Sequence, residues 1–259
     1  MKWGKSKRFL WGLAGMLIIS MGMVRMDSKW MAQARHVWEA RSADVILIDA
    51  GHGGFDGGAV SKSGVAEKDI NLAIALGIRD LAEADGWRVV MTRTDDRALD
   101  QGDEARKGIR TRKTEDLMNR RKLIDETDPM LAVSIHLNSF REDPSVRGAQ
   151  TFFPSGAGHE KIRTESQKLA EMIQKELVEG LKDGTNRDAL GKKDVLLLKD
   201  PKVPTALVEC GFLSNEEEVK LLQDPQYQRK LSEFIYNGIL AFSGKNTNEN
   251  LFVLDSRTP

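Results

Sequence analysis

The run Val45 to Ala50 (VILIDA), followed at once by Gly51-His52-Gly53-Gly54-Phe55-Asp56-Gly57-Gly58, constrains this chain more than any other feature. An apolar run broken only by Asp49 fits a strand buried on both faces, and such strands belong to parallel sheets covered by helices. The same kind of alternation continues along the chain. Lys68 to Ala84 predicts a helix with Ile70, Ile74, Gly77, Ile78 and Leu81 on one side at spacings of three and four. Trp87 to Thr92, Met130 to Ile135 and Ala149 to Phe153 predict three further strands, with a helix over Leu117 to Thr127 before the second of these. Lys161 to Leu181 predicts a long helix, Val195 to Leu198 and Ala206 to Val208 two strands, and Glu216 to Leu222 and Gln226 to Phe242 closing helices. The expected fold is a single α/β domain, a mostly parallel twisted sheet of about six strands with helices on both faces. Asp95 to Asp116 holds 13 charged residues among 22 with no apolar period, and is expected to be an exposed loop.

The ends of the 259-residue chain differ from this core. Lys2, Lys5, Lys7 and Arg8 precede Phe9 to Val24, 16 residues without a charge. A cationic start before an apolar run predicts a hydrophobic signal or anchor helix whose basic flank stays cytoplasmic, so that the rest of the chain is exported. Ala32-Gln33-Ala34 offers a cleavage pattern well behind the run, which leaves cleavage open. The expected organisation is a basic start, signal or anchor segment and linker over 1–43, a catalytic domain over 44–243 and a loose tail over 244–259.

Strand ends carry the chemistry in open α/β sheets. His52 follows the first strand, Glu67 precedes the first helix, His136 and Asn138 close the third strand, and Glu209 closes the last. Two histidines and a carboxylate from separate strand ends make an open His2Glu zinc site, and Glu209 could then act on a water held at the fourth position. A structural role for each histidine alone, and an ordinary first-turn acid for Glu67, are the competing readings. The glycine turn is not a nucleotide loop, because Asp56 stands where the third glycine of G-x-G-x-x-G belongs. The lone Cys210 excludes an intramolecular disulfide and a cysteine-based zinc site, and 39 basic against 39 acidic residues give no field for nucleic acid. Asp49 and Asp56 are candidates for supporting His52 or holding the glycine turn, and the spacing does not choose between these roles.

Asp-x-Gly-His-Gly-Gly-x-Asp-x-Gly-Ala at 49 to 59, Glu67-Lys68, Thr92-Arg93-Thr94-Asp95, Ser134-Ile135-His136-x-Asn138-Ser139 and Val208-Glu209-x-Gly211-Phe212-Leu213-Ser214-Asn215 together resemble the zinc-dependent N-acetylmuramoyl-L-alanine amidases of the Amidase_3 type. The resemblance spans about residues 44 to 243. It implies hydrolysis of the amide between muramic acid and L-alanine in peptidoglycan, with His52, Glu67 and His136 as zinc ligands and Glu209 as catalytic glutamate. Asn138, as an extra donor or substrate contact at the end of the third strand, and Arg93, in charged surroundings suited to a polar glycan-peptide, are the candidate substrate-binding residues. The short catalytic domain behind one hydrophobic segment is similar to the germination-specific branch, which implies spore cortex as the setting and muramic-δ-lactam as the later product. Phe140 to Arg147 is too short for the autoinhibitory helix of longer relatives, so control falls to expression, location or a protein partner. A metallo-exopeptidase using Arg93, Arg120 and Arg121 as a carboxylate pocket, and a non-catalytic wall-binding homologue, are the alternatives.

Overall fold

The computed structural model describes residues 44–100 and 108–245. The predicted signal or anchor segment and most of the tail lie outside the described residues. Among those described, no helix is long and apolar enough to cross a membrane.

The strands are β1 (Val45–Ala50), β2 (Arg88–Met91), β3 (Leu131–Asn138), β4 (Gln150–Pro154), β5 (Leu190–Lys192) and β6 (Thr205–Phe212). The helices are α1 (Glu67–Ala84), α2 (Ile109–Thr127), α3 (Glu160–Leu181), α4 (Glu216–Leu222) and α5 (Pro225–Ser243). The sheet runs β2-β1-β3-β6-β4-β5, parallel throughout except where β4 meets β6. A single α/β domain with a mostly parallel six-stranded sheet is therefore what the alternating pattern folds into.

Side-chain alternation sorts the sheet into two unequal faces. Ile46, Ile48 and Ala50 of β1 join Val133 and Ile135 of β3 and Val208 and Cys210 of β6 in the main core. Ile74 and Ile78 of α1, Ile173 and Leu177 of α3, and Leu231 and Ile235 of α5 cover that face. Cys210 is fully buried there as a small apolar side chain, and burial raises its thiol pKa. Leu47 and Ala132 point the other way into a small cluster with Ile124 of α2, Leu197 and Val203. Both faces carry helices, but among the described residues the second is covered only by α2 and a short 3-10 turn.

Two expectations need correction. α2 begins at Ile109, so the second part of the predicted Asp95 to Asp116 loop is helix. Its charged residues gave no apolar period because its inward positions include Asp116 and Arg120, buried as a pair with Ile124. Val195 to Leu198 is not a strand: Leu196–Leu198 forms a 3-10 turn that buries Leu197 and Leu198, while the fifth strand is the short Leu190–Lys192. A three-residue edge strand buries too little to leave an apolar signature.

Candidate metal centre

β1 ends in the glycine turn, and the turn aims His52. The residue adopts φ +60, and Gly53, Gly54 and Gly58 also have positive φ, where a Cβ is costly. A Cβ on Gly58 would lie 2.5 Å from Glu67 Oε2 and 2.7 Å from His52 Cδ2, and one on Gly51 would enter the His136 ring. The glycines therefore let the backbone pass close enough for three side chains from three elements to meet. Glu67 opens α1, where the helix dipole favours an acid. His136 lies on β3, and Glu209 of β6 is its register partner.

The carboxylate of Glu67 is the hub. Its Oε2 accepts from Ala59 N at 2.8 Å, and its Oε1 accepts from Leu137 N at 3.0 Å and Asn71 Nδ2 at 3.2 Å. The same Oε1 faces His136 Nδ1 at 2.9 Å and His52 Nε2 at 3.2 Å. Burial opposes its ionisation, yet the hydrogen bonds and charges of the two imidazoles hold its pKa well below the usual carboxylate range. One ligand atom from each of His52, Glu67 and His136 lies within 4.8 Å of the others. Ligand bonds of about 2.0–2.1 Å in a tetrahedron would place ligand atoms roughly 3.4 Å apart, so these donors need only small adjustments to hold a zinc-sized ion.

Asp56 bonds His52 from behind, Oδ2 to Nδ1 at 2.8 Å, while its Oδ1 meets Lys113 Nζ at 2.7 Å and Gly58 N at 3.2 Å. Burial would lower the His52 pKa, but the bonds and charges of Asp56 and Glu67 push it up to about 9. The two carboxylates that favour a proton on this ring favour a divalent cation equally. Fixing Nδ1 also aims Nε2 at the centre, the arrangement that metal-binding imidazoles use.

Glu209 stands apart in kind. Its Oε2 is buried without a hydrogen-bond partner among the described residues, and burial, with the nearby Glu67 charge, raises its pKa against the pull of His136, Lys192 and His52. A buried oxygen left unpaired beside three convergent donors fits a group whose partner is a bound water or substrate.

The remaining expected residues fall differently. Arg93, expected at the substrate, is 1% exposed, and its guanidinium is spent on the carbonyls of Ala50 (2.9 Å), Gly51 (3.0 Å), Lys68 (2.7 Å) and Asp95 (3.1 Å). It clamps the turn and has no face left for a ligand. Arg120 is as deeply buried, bonded to Asp49 and Asp116 at 2.6 Å each and to the carbonyls of Ala50 (2.7 Å) and His52 (2.6 Å). Asp49 also accepts from Thr92 Oγ1 at 2.8 Å and Ser134 Oγ at 2.5 Å. Asp56 therefore supports His52 directly, whereas Asp49 supports it through Arg120. This buried network was missed as a unit, because half of it sits on the helix whose start looked like a loop. Asn138 closes β3 half-buried, its side-chain oxygen accepting from Ser139 N at 2.8 Å.

Comparison with known proteins follows the same lines. Residues 46–241 match the Amidase_3 family, N-acetylmuramoyl-L-alanine amidase. The germination-specific N-acetylmuramoyl-L-alanine amidase of Bacillus subtilis is 41% identical over 203 residues, covering 78% of this chain and 80% of its own. The fold superposes on the CwlD amidase from Clostridioides difficile, solved in complex with the GerS lipoprotein, with a TM-score of 0.73 and 43% identity, covering 78% of this chain and all of that one. An N-acetylmuramoyl-L-alanine amidase from Clostridium difficile 630 gives a TM-score of 0.65 at 29% identity, covering 79% and 99% of the two chains.

Proposed function

Because the chain belongs to the Amidase_3 family of N-acetylmuramoyl-L-alanine amidases, we propose that it cleaves peptidoglycan as a zinc enzyme, with His52, Glu67 and His136 as ligands and Glu209 as acid and base. The observation that carries this reading is the unpaired, buried Glu209 Oε2 on the strand beside His136, at the edge of the three-donor cluster. When bound, zinc supplies Lewis-acid polarisation of the amide carbonyl and a lowered pKa for the attacking water. Glu209, its proton affinity raised by burial, takes the proton as water oxygen joins the lactyl carbonyl carbon. The same carboxyl then gives that proton to the alanine nitrogen as the C–N bond breaks. The products are a free lactyl carboxylate on the sugar and a peptide with a free L-alanine amine. Asn138, at the same strand end as His136, is proposed as a substrate contact.

Two measurements test this together. The full chain should contain about one zinc, lose activity to a chelator and regain it with added zinc. Digestion of peptidoglycan should release peptides beginning with L-alanine; new amino groups on D-alanine or diaminopimelate instead would make the enzyme a peptidase. The exopeptidase reading also needs a cationic pocket, and Arg93 and Arg120 are buried in support of β1 while Arg121 bonds the Asp200 carbonyl. A non-catalytic homologue is disfavoured because all four proposed groups are present and His52, Glu67 and His136 lie close enough to share an ion.

The setting follows from the relatives. The B. subtilis relative is named germination-specific, and we extend that to this chain: the freed lactyl carboxylate would close onto a de-N-acetylated sugar as muramic-δ-lactam in spore cortex. The complex of the C. difficile relative with a lipoprotein supports a protein partner here too. Residues 44–243 form the proposed catalytic unit, exported behind residues 1–43 to the outer face of the membrane or the cell wall. A C-terminal reporter should be active only outside the cytoplasm, and fractionation with N-terminal sequencing reads whether the hydrophobic segment stays attached. Reporter activity inside the cytoplasm would sink the export reading.

A further inference from the structure

The second face of the sheet continues past the metal cluster, and its register leads to one unassigned cation. Register partners share a face, as do residues two apart on one strand. His136 pairs with Glu209, and Glu209 pairs with Gln150 across the antiparallel join. Phe152 lies two residues beyond Gln150 and pairs with Leu190, and Lys192 lies two beyond Leu190 on the edge strand β5. All six side chains therefore stand on one side of the sheet. While α2 covers the β1 part of this face, Leu190 is 49% exposed at its far end and Phe152 and Lys192 are only half-buried. Gln150, beside the catalytic carboxylate, is buried, and the face opens beyond it at Phe152, two residues from the Glu209 level.

The ammonium of Lys192 is held 4.5 Å from the centre of the Phe152 ring, a cation–π contact that draws it back from the edge towards β6. Among the described residues no carboxylate forms an ion pair with it. Its charge reaches Glu209, where it is one of the groups opposing the rise that burial causes. A positioned cation with no ion-pair partner among the described residues, on the same side of the sheet as the reaction site, suits an anionic part of the substrate.

We propose that Lys192 is a specificity-determining residue that reads a carboxylate on the peptide side of the substrate, with Phe152 and Leu190 as the floor of that subsite. The occupant is the acidic peptide attached through L-alanine, so the inference rests on the amidase reading above. Lys192 pairs with Pro154, four residues from Gln150, so its backbone lies two inter-strand spacings from β6 and about 13 Å along the strands from the Glu209 level; leaning over Phe152 brings its ammonium to about one spacing and two residues, roughly 8 Å, from that level. At about 3.3–3.6 Å per extended residue this is the reach of the second residue of the stem.

The test uses the full chain with its zinc and two muramoyl peptides, one with a free carboxylate on the second stem residue and one with the matching carboxamide. Wild type should prefer the free acid, with a KM lower by about five- to tenfold and a similar kcat. Lys192→Met should raise KM for the acid by about that factor, leave kcat within about twofold, leave the amidated substrate unaffected and so abolish the preference. Lys192→Arg, which keeps the charge, should retain most of it. An unchanged KM and preference in Lys192→Met would overturn the proposal, as would a fall in kcat at constant KM, which would place the lysine's effect on Glu209 instead. Wild type inactive on both peptides would sink the amidase reading itself, a result distinct from activity without discrimination.

Discussion

Glu209→Gln should fold, hold zinc at wild-type stoichiometry and lose about 10²- to 10⁴-fold in turnover, the range that a positioned general acid and base contributes. The expectation rests on a separation of roles visible in the hydrogen bonds. Glu67 is tied to two backbone amides, Asn71 and both imidazoles, as a group that must be held still. Glu209 keeps one buried oxygen without a partner, as a group that must exchange a proton. The amide of glutamine has nearly the same volume, so packing beside Gln150 and His136 survives while proton uptake does not. His136→Ala should behave differently and lose metal and activity together, because it removes a donor from the cluster. Metal analysis and kinetics on both variants separate the cases. Turnover retained by Glu209→Gln would show that another group moves the proton, and lost zinc in that variant would make Glu209 a ligand.

The parts of the fold legible in the sequence were those with an apolar signature. β1, α1 and α5 each bury a stripe or run against the main core, and their limits lie within two residues of the pattern. The site residues were legible because glycine, histidine and glutamate at strand ends have few structural reasons to be together. What escaped was structure held by polar groups. The first turns of α2 carry no apolar stripe, because the helix docks through Asp116 and Arg120 onto Asp49 and the β1 carbonyls. Arg93 looked like a ligand-binding cation since an arginine at a strand end usually faces solvent. Only the folded turn shows four carbonyls converging on it. The three convergent donors were thus readable as residues, but the frame that fixes their positions was not.

That frame yields the second large effect. Arg120→Met should destabilise the protein by about 3–5 kcal/mol, the cost of leaving a buried charge without its partner. The methionine fills similar space but leaves Asp49 and Asp116 without the guanidinium they bond and the His52 carbonyl without its 2.6 Å donor. Burial alone would raise the Asp49 pKa. Arg120, with smaller help from His136, Ser134 and Thr92, brings it down from 3.8 to about 2. A carboxylate whose pKa is depressed on folding contributes stability that is present above its unfolded pKa and is lost as pH falls through the folded one. For Asp49 this amounts to about 2 kcal/mol, fading between about pH 4 and pH 2. Without Arg120 the desolvation is opposed only by the smaller contributions of His136, Ser134 and Thr92, so the folded pKa rises and the stabilising contribution of Asp49 shrinks. The stability gap between wild type and Arg120→Met should therefore be widest near neutral pH and narrow as pH falls from about 4 to 2. Acid unfolding through Glu67 and Asp56 is common to both proteins and drops out of the difference. Denaturant titrations across that range measure it, and a gap below about 1 kcal/mol or one independent of pH would mean that the pair does not bear on folding. The same variant releases the carbonyl of His52 itself, so zinc affinity should weaken alongside stability, by about the 10- to 100-fold seen when groups behind metal ligands are removed.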